Sequence, residues 1–340
     1  MMSARPTMKD VAALAGVGLK TVSRVVNGEG SVSPDTTERV NAAIAKLGFR
    51  RNEGARLLRQ GRTASIGLVL EDVADPFSSA LTRAVEDIAR QHDSLVFAGS
   101  SAEDGVRERE LTLAFCARRV DGLIIVPAGA THRYLVPEIT AGTPAVFVDR
   151  PPVDIDADTV LVDNEGGARM AVDHLIAHGH RRIGFLGDAP TIFTATARLA
   201  GYRASLEAAG LPYDESLTSL APPTAEAIRH AVERVLGGPD PATALFCGNN
   251  RVTVEVLRVL AGRPNQPALV GFDDFELADV LRPGITVVAQ DPAEMGRTAA
   301  EMLFARLSGD RQGRAKTVRL PTRLIPRGSG EMPIATGIGT

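Results

Sequence analysis

The sequence predicts a small all-α head followed by a large α/β body built on two parallel sheets. Three observations carry this. The first 50 residues hold three short amphipathic stretches, each with its own helix start and stop signals. From Ser65 onward, short continuous apolar runs alternate with helix-length segments, in two successive series. Charge divides the same way: residues 1–62 carry 11 Lys and Arg against 5 Asp and Glu, a balance of +6, whereas the remainder carries 27 against 36, a balance of −9. A basic end on an acidic body points to nucleic acid as one partner.

In the head, Thr7-Met8-Lys9-Asp10 reads as a helix start, with Thr7 as N-cap and Asp10 near the positive end of the helix. Val11, Ala12, Leu14 and Ala15 supply a short apolar face, and Gly16 is a natural stop. A second helix follows over 18–26 with Val22, Val25 and Val26 turned inward, closed by Asn27-Gly28. Ser33-Pro34 is an N-cap followed by proline at the first helical position. Val40, Ala43, Ile44 and Leu47 form the inner stripe of a third helix, ended by Gly48. Three short helices with a glycine-bearing turn between the first two match a helix-turn-helix.

The second helix of that motif enters the major groove. Its outward positions here are Leu19, Lys20, Ser23 and Arg24. Arg24 can pair bidentately with guanine, Lys20 can donate to guanine acceptors, and Leu19 can touch a thymine methyl. A solvated face on a small bundle is the plain alternative.

The segment 7–27, with Lys9-Asp10-Val11-Ala12 and Thr21-Val22-Ser23-Arg24-Val25-Val26-Asn27, closely resembles the lactose-repressor (LacI/GalR) family of bacterial transcription regulators. The likeness continues through Val32-Ser33, Arg39-Val40, Leu47-Gly48-Phe49, Ala55-Arg56 and Leu58-Arg59. It implies DNA contacts from Leu19, Lys20, Thr21, Ser23, Arg24 and Asn27. It also implies that the basic stretch 50–62, by composition a flexible linker, is a hinge that turns helical on operator DNA. Asn52 lies near its start, Ala55 follows, and Leu58 matches the leucine that wedges into a minor-groove step; Leu57 is the alternative by register. Three positions depart from the family pattern. Gly18 stands where Ser is usual, removing a side-chain cap worth about a few tenths of a kcal/mol. Arg51 replaces the proline before Asn52, and Gly54 weakens the following helix.

In the body, strand-like runs at 65–70, 95–98, 123–126 and 145–148 form the first series, and 182–186, 244–246 and 268–270 the second. Such runs alternating with helices signal parallel sheets covered on both faces. Later runs at 285–290 and 317–325 read as crossings, which makes each subdomain discontinuous. Ligands of such sheets sit at the carboxyl ends of the strands, here between the lobes.

Asp75-Pro76-Phe77, Val120-Asp121-Gly122-Leu123-Ile124, Gly179-His180-Arg181-Arg182-Ile183-Gly184, Arg198-Leu199-Ala200-Gly201-Tyr202 and Gly271-Phe272-Asp273-Asp274 are similar to the periplasmic-binding-protein-like (type I) sensor domain of the same regulators. That resemblance implies a sugar or another small polar effector. Such a site needs aromatic faces and fixed polar forks. Phe77, Phe193 and Phe246 are the candidate faces; Asp75, Asp149, Arg198, Asn249, Asp273 and Gln290 are the candidate polar contacts. Asn250 departs from the Asp that family members often carry.

The implied division is a helix-turn-helix domain over 1–49, a hinge over 50–62, an effector-binding domain over 63–330 and a flexible tail over 331–340. The N-subdomain takes 63–161 and 291–320, and the C-subdomain 162–290 and 321–330. Tetrameric members of the family carry a leucine-heptad tail, and 328–340 here has no heptads, so the resemblance implies a dimer rather than a tetramer.

Other chemistry is poorly supported. Gly16-Val17-Gly18-Leu19-Lys20-Thr21 lacks the glycine before Lys that a phosphate loop needs, and no strand leads into it. Asp154, Asp156, Asp158 and Glu165 fall at EF-hand spacing, but Thr159 occupies the obligatory glycine position. His174, His178 and His180 cluster at a helix C-terminus, where the dipole favours them. No nucleophile and base stand in catalytic order, so neither an enzyme nor a cofactor is expected. No apolar run reaches the roughly 20 residues of a membrane helix. Without a secretory signal in 1–9 and with two cysteines, Cys116 and Cys247, in no metal-binding spacing, the expected compartment is the cytoplasm. The expected partners are double-stranded operator DNA, a small effector and a second copy of the chain. A solute receptor would lack the basic head; an effector-independent DNA binder remains the rival.

Overall fold

The computed structural model describes residues 6–28, 32–49, 62–309 and 313–334. The chain divides between Thr63 and Ala64 into two compact units.

The head contains α1 (Met8–Ala15), α2 (Leu19–Val26) and α3 (Pro34–Leu47). Thr7 and Asp10 close a reciprocal capping box: the Thr7 hydroxyl accepts from the Asp10 N–H, and the Asp10 carboxylate accepts the Thr7 N–H at 2.7 Å. Gly16 ends α1 with φ +64°, a left-handed turn that glycine enters without steric cost. Gly18 leaves α2 without a side-chain cap, as its missing hydroxyl requires. Ser33 and Pro34 open α3. The core is Val11, Ala12, Ala15, Val22, Val40 and Ala43, with Val25, Val26, Ile44 and Leu47 half-buried around it. Arg39 of α3 donates to the carbonyls of Ala15 at 2.7 Å and Gly16 at 3.3 Å. It thereby satisfies carbonyls left over where α1 ends.

The body runs β1 (Ser65–Leu70), α4 (Pro76–Gln91), β2 (Leu95–Ser100), α5 (Gly105–Ala117), β3 (Gly122–Ile125), α6 (Val136–Thr140), β4 (Ala145–Val148) and β5 (Asp158–Val162). It continues with α7 (Asn164–Ala177), β6 (Ile183–Gly187), α8 (Phe193–Ala208), β7 (Thr218–Leu220), α9 (Ala225–Gly237), β8 (Ala244–Cys247), α10 (Asn250–Leu260) and β9 (Ala268–Phe272). Last come β10 (Thr286–Ala289), α11 (Pro292–Ser308), β11 (Thr317–Leu320) and β12 (Arg323–Ile325). The first sheet has order β11-β5-β4-β3-β1-β2, the second β12-β10-β9-β8-β6-β7. Every pairing is parallel except β10 with β12. Apolar side chains fill both faces of each sheet, so the central strands read as unbroken hydrophobic runs.

The two orders superimpose strand for strand, which makes the lobes quasi-repeats. The chain passes between them after β5, after β10 and again between β11 and β12.

Two expectations change. The single run over 317–325 is two strands in different sheets, interrupted at Pro321, whose nitrogen has no hydrogen to continue a ladder. The start of the expected flexible tail is anchored. Glu331 contacts His174 Nε2 at 2.5 Å and accepts from the Thr286 hydroxyl, while the Met332 carbonyl lies 3.0 Å from His180 Nε2. Just before it, the buried Ser329 exchanges hydrogen bonds with Leu269. His174 and His180 therefore serve to fasten this segment.

Candidate functional site

At the carboxyl ends of the strands the two lobes face each other across a polar cleft, whose space is about 450 Å³ with its open mouth included. Parallel topology places the residue after each strand at this rim. Glu71 follows β1, Asp149 follows β4, Asp188 follows β6, Asp273 follows β9 and Gln290 follows β10. Helix N-termini converge on the same space. Asp75 caps α4, accepting the Phe77 N–H at 2.8 Å, and Asn249 caps α10, accepting the Val252 N–H at 2.8 Å.

Arg198, from α8, is buried in the second lobe. Its Nε donates to Asn164 Oδ1 at 2.8 Å, and its Nη1 to the Gly248 carbonyl at 2.6 Å and to Asp273 Oδ2 at 3.3 Å. The guanidinium carbon lies over the Phe272 ring, 3.6 Å from its centroid. Such a contact holds the fork through the attraction of the ring face for its charge. Gln290 Nε2 donates to the other Asp273 oxygen at 2.6 Å. Gln290 Oε1 is buried with no partner among the described residues.

Across the cleft, Arg150 is clasped by both oxygens of Glu103, each at 2.6 Å. Glu71 lies 3.4 Å from Arg150 Nη2, and its other oxygen accepts from Arg251 Nη1 at 2.7 Å. Arg251 belongs to α10, so this bond crosses between the lobes.

Electrostatics follow from crowding carboxylates out of water. Burial raises the Asp149 and Asp273 pKa values above the ordinary range, although Arg150 and Arg198 pull the first back and Arg198 the second. Burial, reinforced by Glu103, pushes Glu71 up to about 8 against the opposing pull of Arg150 and Arg251. Burial opposes the charge on Arg150, but its bonds to Glu103 more than restore it.

Of the residues expected from sequence, Asp75, Phe77, Asp149, Arg198, Asn249, Asp273 and Gln290 line this cleft. Two do not. Phe246 is fully buried in mid-strand, its ring 5.3 Å from Phe185, because that face of β8 packs beneath α7 and α8 rather than at the rim. Phe193 is 38% exposed at the start of α8, and its neighbours Ile192 and Thr194 face the cleft instead. Glu71, Arg150, Asp188, Asn250 and Arg251 line it without having been expected. The strand-end rule that selected Asp149 selects Glu71 and Asp188 as well.

In the head, Leu19, Lys20 and Asn27 of the second-helix region are exposed, and Thr21, Ser23 and Arg24 are half-buried. Asn27 Nδ2 donates to Ser23 Oγ at 3.4 Å. Asn52, Ala55, Leu57 and Leu58 lie outside the described residues. Among the described residues, no group of three or more His, Cys, Asp or Glu is placed to hold a metal ion, and no helix is long and apolar enough to cross a membrane.

A helix-turn-helix unit joined to a two-lobed α/β unit with a polar interlobe cleft defines a ligand-responsive DNA-binding regulator. The profile of bacterial regulatory proteins of the lacI family matches residues 7–52, and that of a periplasmic binding protein-like domain matches 172–330. The HTH-type transcriptional regulator CelR of Thermobifida fusca is 35% identical over 340 residues, covering 96% of this chain and 98% of the relative. Among solved structures, a CelR–cellobiose complex is 32% identical with TM-score 0.70, covering 96% of this chain and all of that one. The lac repressor dimer bound to operator and the anti-inducer ONPF is 26% identical with TM-score 0.83, covering 96% and 99%. This chain belongs to the LacI/GalR family. It is a DNA-binding transcription regulator and not an enzyme.

Proposed function

We propose that this regulator binds a pseudo-palindromic operator as a homodimer, reading bases with Leu19, Lys20, Ser23 and Arg24, and that a sugar-type effector held between the lobes controls that binding. Repression is the mode we assign. The observation that carries the effector reading is the convergence of Asp149, Arg198, Asp273 and Gln290, from three strand ends and one helix, on a single cleft. Relatives point the same way, since CelR is seen with cellobiose and the lac repressor as a dimer on its operator. Edge strand β2 leaves Leu95 68% and Phe97 43% exposed, an apolar strip of the kind a subunit contact covers.

The test starts from a random duplex library. Selection is expected to return a pseudo-palindrome whose affinity falls on the order of 10³-fold between 50 and 200 mM salt. Light scattering is expected to give a mass of two chains, and Phe97→Glu to lower it toward one. A carbohydrate thermal-shift screen then supplies ligands to add to the operator titration. Equal affinity for random DNA refutes the operator reading. Operator binding that no stabilising ligand changes favours an effector-independent regulator.

A further inference from the structure

We propose that the interlobe cleft rejects anionic ligands, so that it takes an uncharged carbohydrate and excludes the corresponding sugar acid or sugar phosphate. The proposal rests on the effector reading in placing the ligand between the lobes, and adds the charge class of that ligand.

Three guanidinium groups line the cleft, and each already has a carboxylate. Arg150 is held bidentately by Glu103 and lies near Glu71 and Asp149, with Nε 3.4 Å from Asp149 Oδ2. Arg251 reaches across to Glu71 at 2.7 Å. Arg198 contacts Asp273 at 3.3 Å and spends further donors on Asn164 and the Gly248 carbonyl. Against these three cations stand five lining carboxylates: Glu71, Asp75, Asp149, Asp188 and Asp273. Glu103 behind Arg150 makes a sixth. Even with Glu71 holding its proton, as its raised pKa of about 8 implies at neutral pH, four lining carboxylates and Glu103 outnumber the three guanidinium groups.

Two of the three helix starts at the cleft are capped by side chains, while α8 begins after Ile192 without one. Asp75 takes the Phe77 N–H at the start of α4, and Asn249 the Val252 N–H at the start of α10. At α4 an entering phosphate or carboxylate must displace the Asp75 carboxylate, and at α10 it must lie beside Asp188, which accepts from Asn249 Nδ2 at 3.1 Å.

Unmet need exists on both sides, but on the donor side it falls on Arg150 Nε, a buried N–H with no hydrogen-bond acceptor among the described residues, whose charge already meets Asp149 Oδ2 at 3.4 Å. Gln290 Oε1 is a buried acceptor with no donor. Asp149 is 93% buried, with the guanidinium of Arg150 as its ion-pair contact. Such a wall asks its ligand for hydrogens. Hydroxyl groups supply them, whereas ionised carboxylates and phosphates bring only lone pairs.

The experiment compares matched ligands at equal ionic strength on the full chain: D-glucose with D-gluconate and D-glucose 6-phosphate, D-galactose with D-galacturonate, and cellobiose with cellobionate. Thermal shift and calorimetry are read for the wild type, for Glu71→Gln, and for Glu71→Gln/Glu103→Gln, which releases Arg150 and Arg251. In any set that binds, the neutral sugar is expected to bind at least about ten-fold tighter than its acid, 1.4 kcal/mol by conversion. The double variant, or Glu71→Gln alone should the double variant fold poorly, is expected to gain stabilisation by gluconate or glucose 6-phosphate that the wild type lacks. An acid bound more tightly than its neutral partner overturns the proposal, as does a variant that gains no affinity for anions. If no neutral sugar shifts the wild type, the carbohydrate reading fails, and the variants' response to anions still decides the charge inference.

Discussion

Asp149 and Asp273 occupy the same position in the two quasi-repeated lobes. Each follows the third strand inward from its sheet's β5- or β10-side edge, β4 and β9 respectively, and each adopts a left-handed backbone, with φ +70° and +68°. Each donates its N–H to the neighbouring strand, to Val160 and Val288, at 2.9 Å. Aspartate tolerates this region better than most residues, at a cost of about 1–2 kcal/mol. The turn points a carboxylate into the cleft from either side, and Arg198 lowers the pKa of both against the burial that raises them.

This pairing makes Asp273→Asn the cleanest probe of the effector site. Asparagine keeps the left-handed turn and can still meet Gln290, but removes the charge facing Arg198. Loss of one charge-assisted hydrogen bond is worth about 1.5–3 kcal/mol, roughly a ten- to hundred-fold loss of effector affinity. Operator affinity without effector is expected to be unchanged, since the residue lies outside the head. Anisotropy titrations of labelled operator, with and without ligand, check both. Full effector response in the variant removes Asp273 from the site.

On the DNA side, Arg24→Ala is expected to relax preference at one base pair per half-site, costing about 1–3 kcal/mol there. Lys20→Ala serves as the comparison. If Arg24 instead binds only the backbone, its removal weakens all sequences uniformly and lowers the salt slope. Competition binding against single-base operator variants separates the two outcomes.

The head was legible because its signals are local. Thr7, Gly16, Ser33-Pro34 and Gly48 act within a turn of their own positions, and each caps or stops the helix it was read to end. Buried strands such as β1 and β4 were legible because both faces are covered. By contrast, β7 is Thr-Ser-Leu at a sheet edge, half-buried, and carries no apolar signature. The cleft was legible as far as strand ends could be placed, which gave Asp149, Asp273 and Gln290. Phe246 misled because ring chemistry says nothing about which face of a strand a residue occupies. Arg251 and Glu71 are 180 residues apart in sequence, and their meeting depends on how the two lobes close. Arg39 likewise reaches α1 through the packing of the head.

Helix packing in the second lobe yields a stability prediction. A Cβ on Gly201 would stand 2.3 Å from the Glu165 carbonyl oxygen and 2.8 Å from the Ala168 side chain, so α7 and α8 can approach only because that atom is absent. Gly201→Ala must push backbone against backbone, an overpacking cost of about 1–3 kcal/mol or more. At about 2–4 °C per kcal/mol, the melting temperature is expected to fall by several degrees. Gly237→Ala, near the end of α9 with open space around it, provides the opposite sign. There alanine is expected to raise stability slightly by restricting the unfolded chain. Calorimetric scans of the two variants side by side check the contrast; equal melting temperatures refute it.

The Glu71 carboxyl, facing Glu103, Arg150 and Arg251, gives the body a definite pH dependence. Its pKa rises from an ordinary 4.5 to about 8 on folding, first through burial and then through Glu103. Between those values the folded state binds more protons at this site than the unfolded chain. The contribution to stability is therefore fully present below about pH 4.5 and declines as pH rises toward 8. The slope from one such group is at most about 1.4 kcal/mol per pH unit. Glu71→Gln has no proton to gain and is expected to flatten the curve. It does not abolish it, because burial raises the Asp149 and Asp273 pKa values in the same direction. Urea unfolding of wild type and variant at pH 5, 6.5 and 8 gives the comparison. The wild type is expected to lose stability relative to Glu71→Gln at each step upward. Parallel curves would mean that Glu71 is already ionised in the folded protein at pH 5, and that its pairs with Arg150 and Arg251 outweigh its burial.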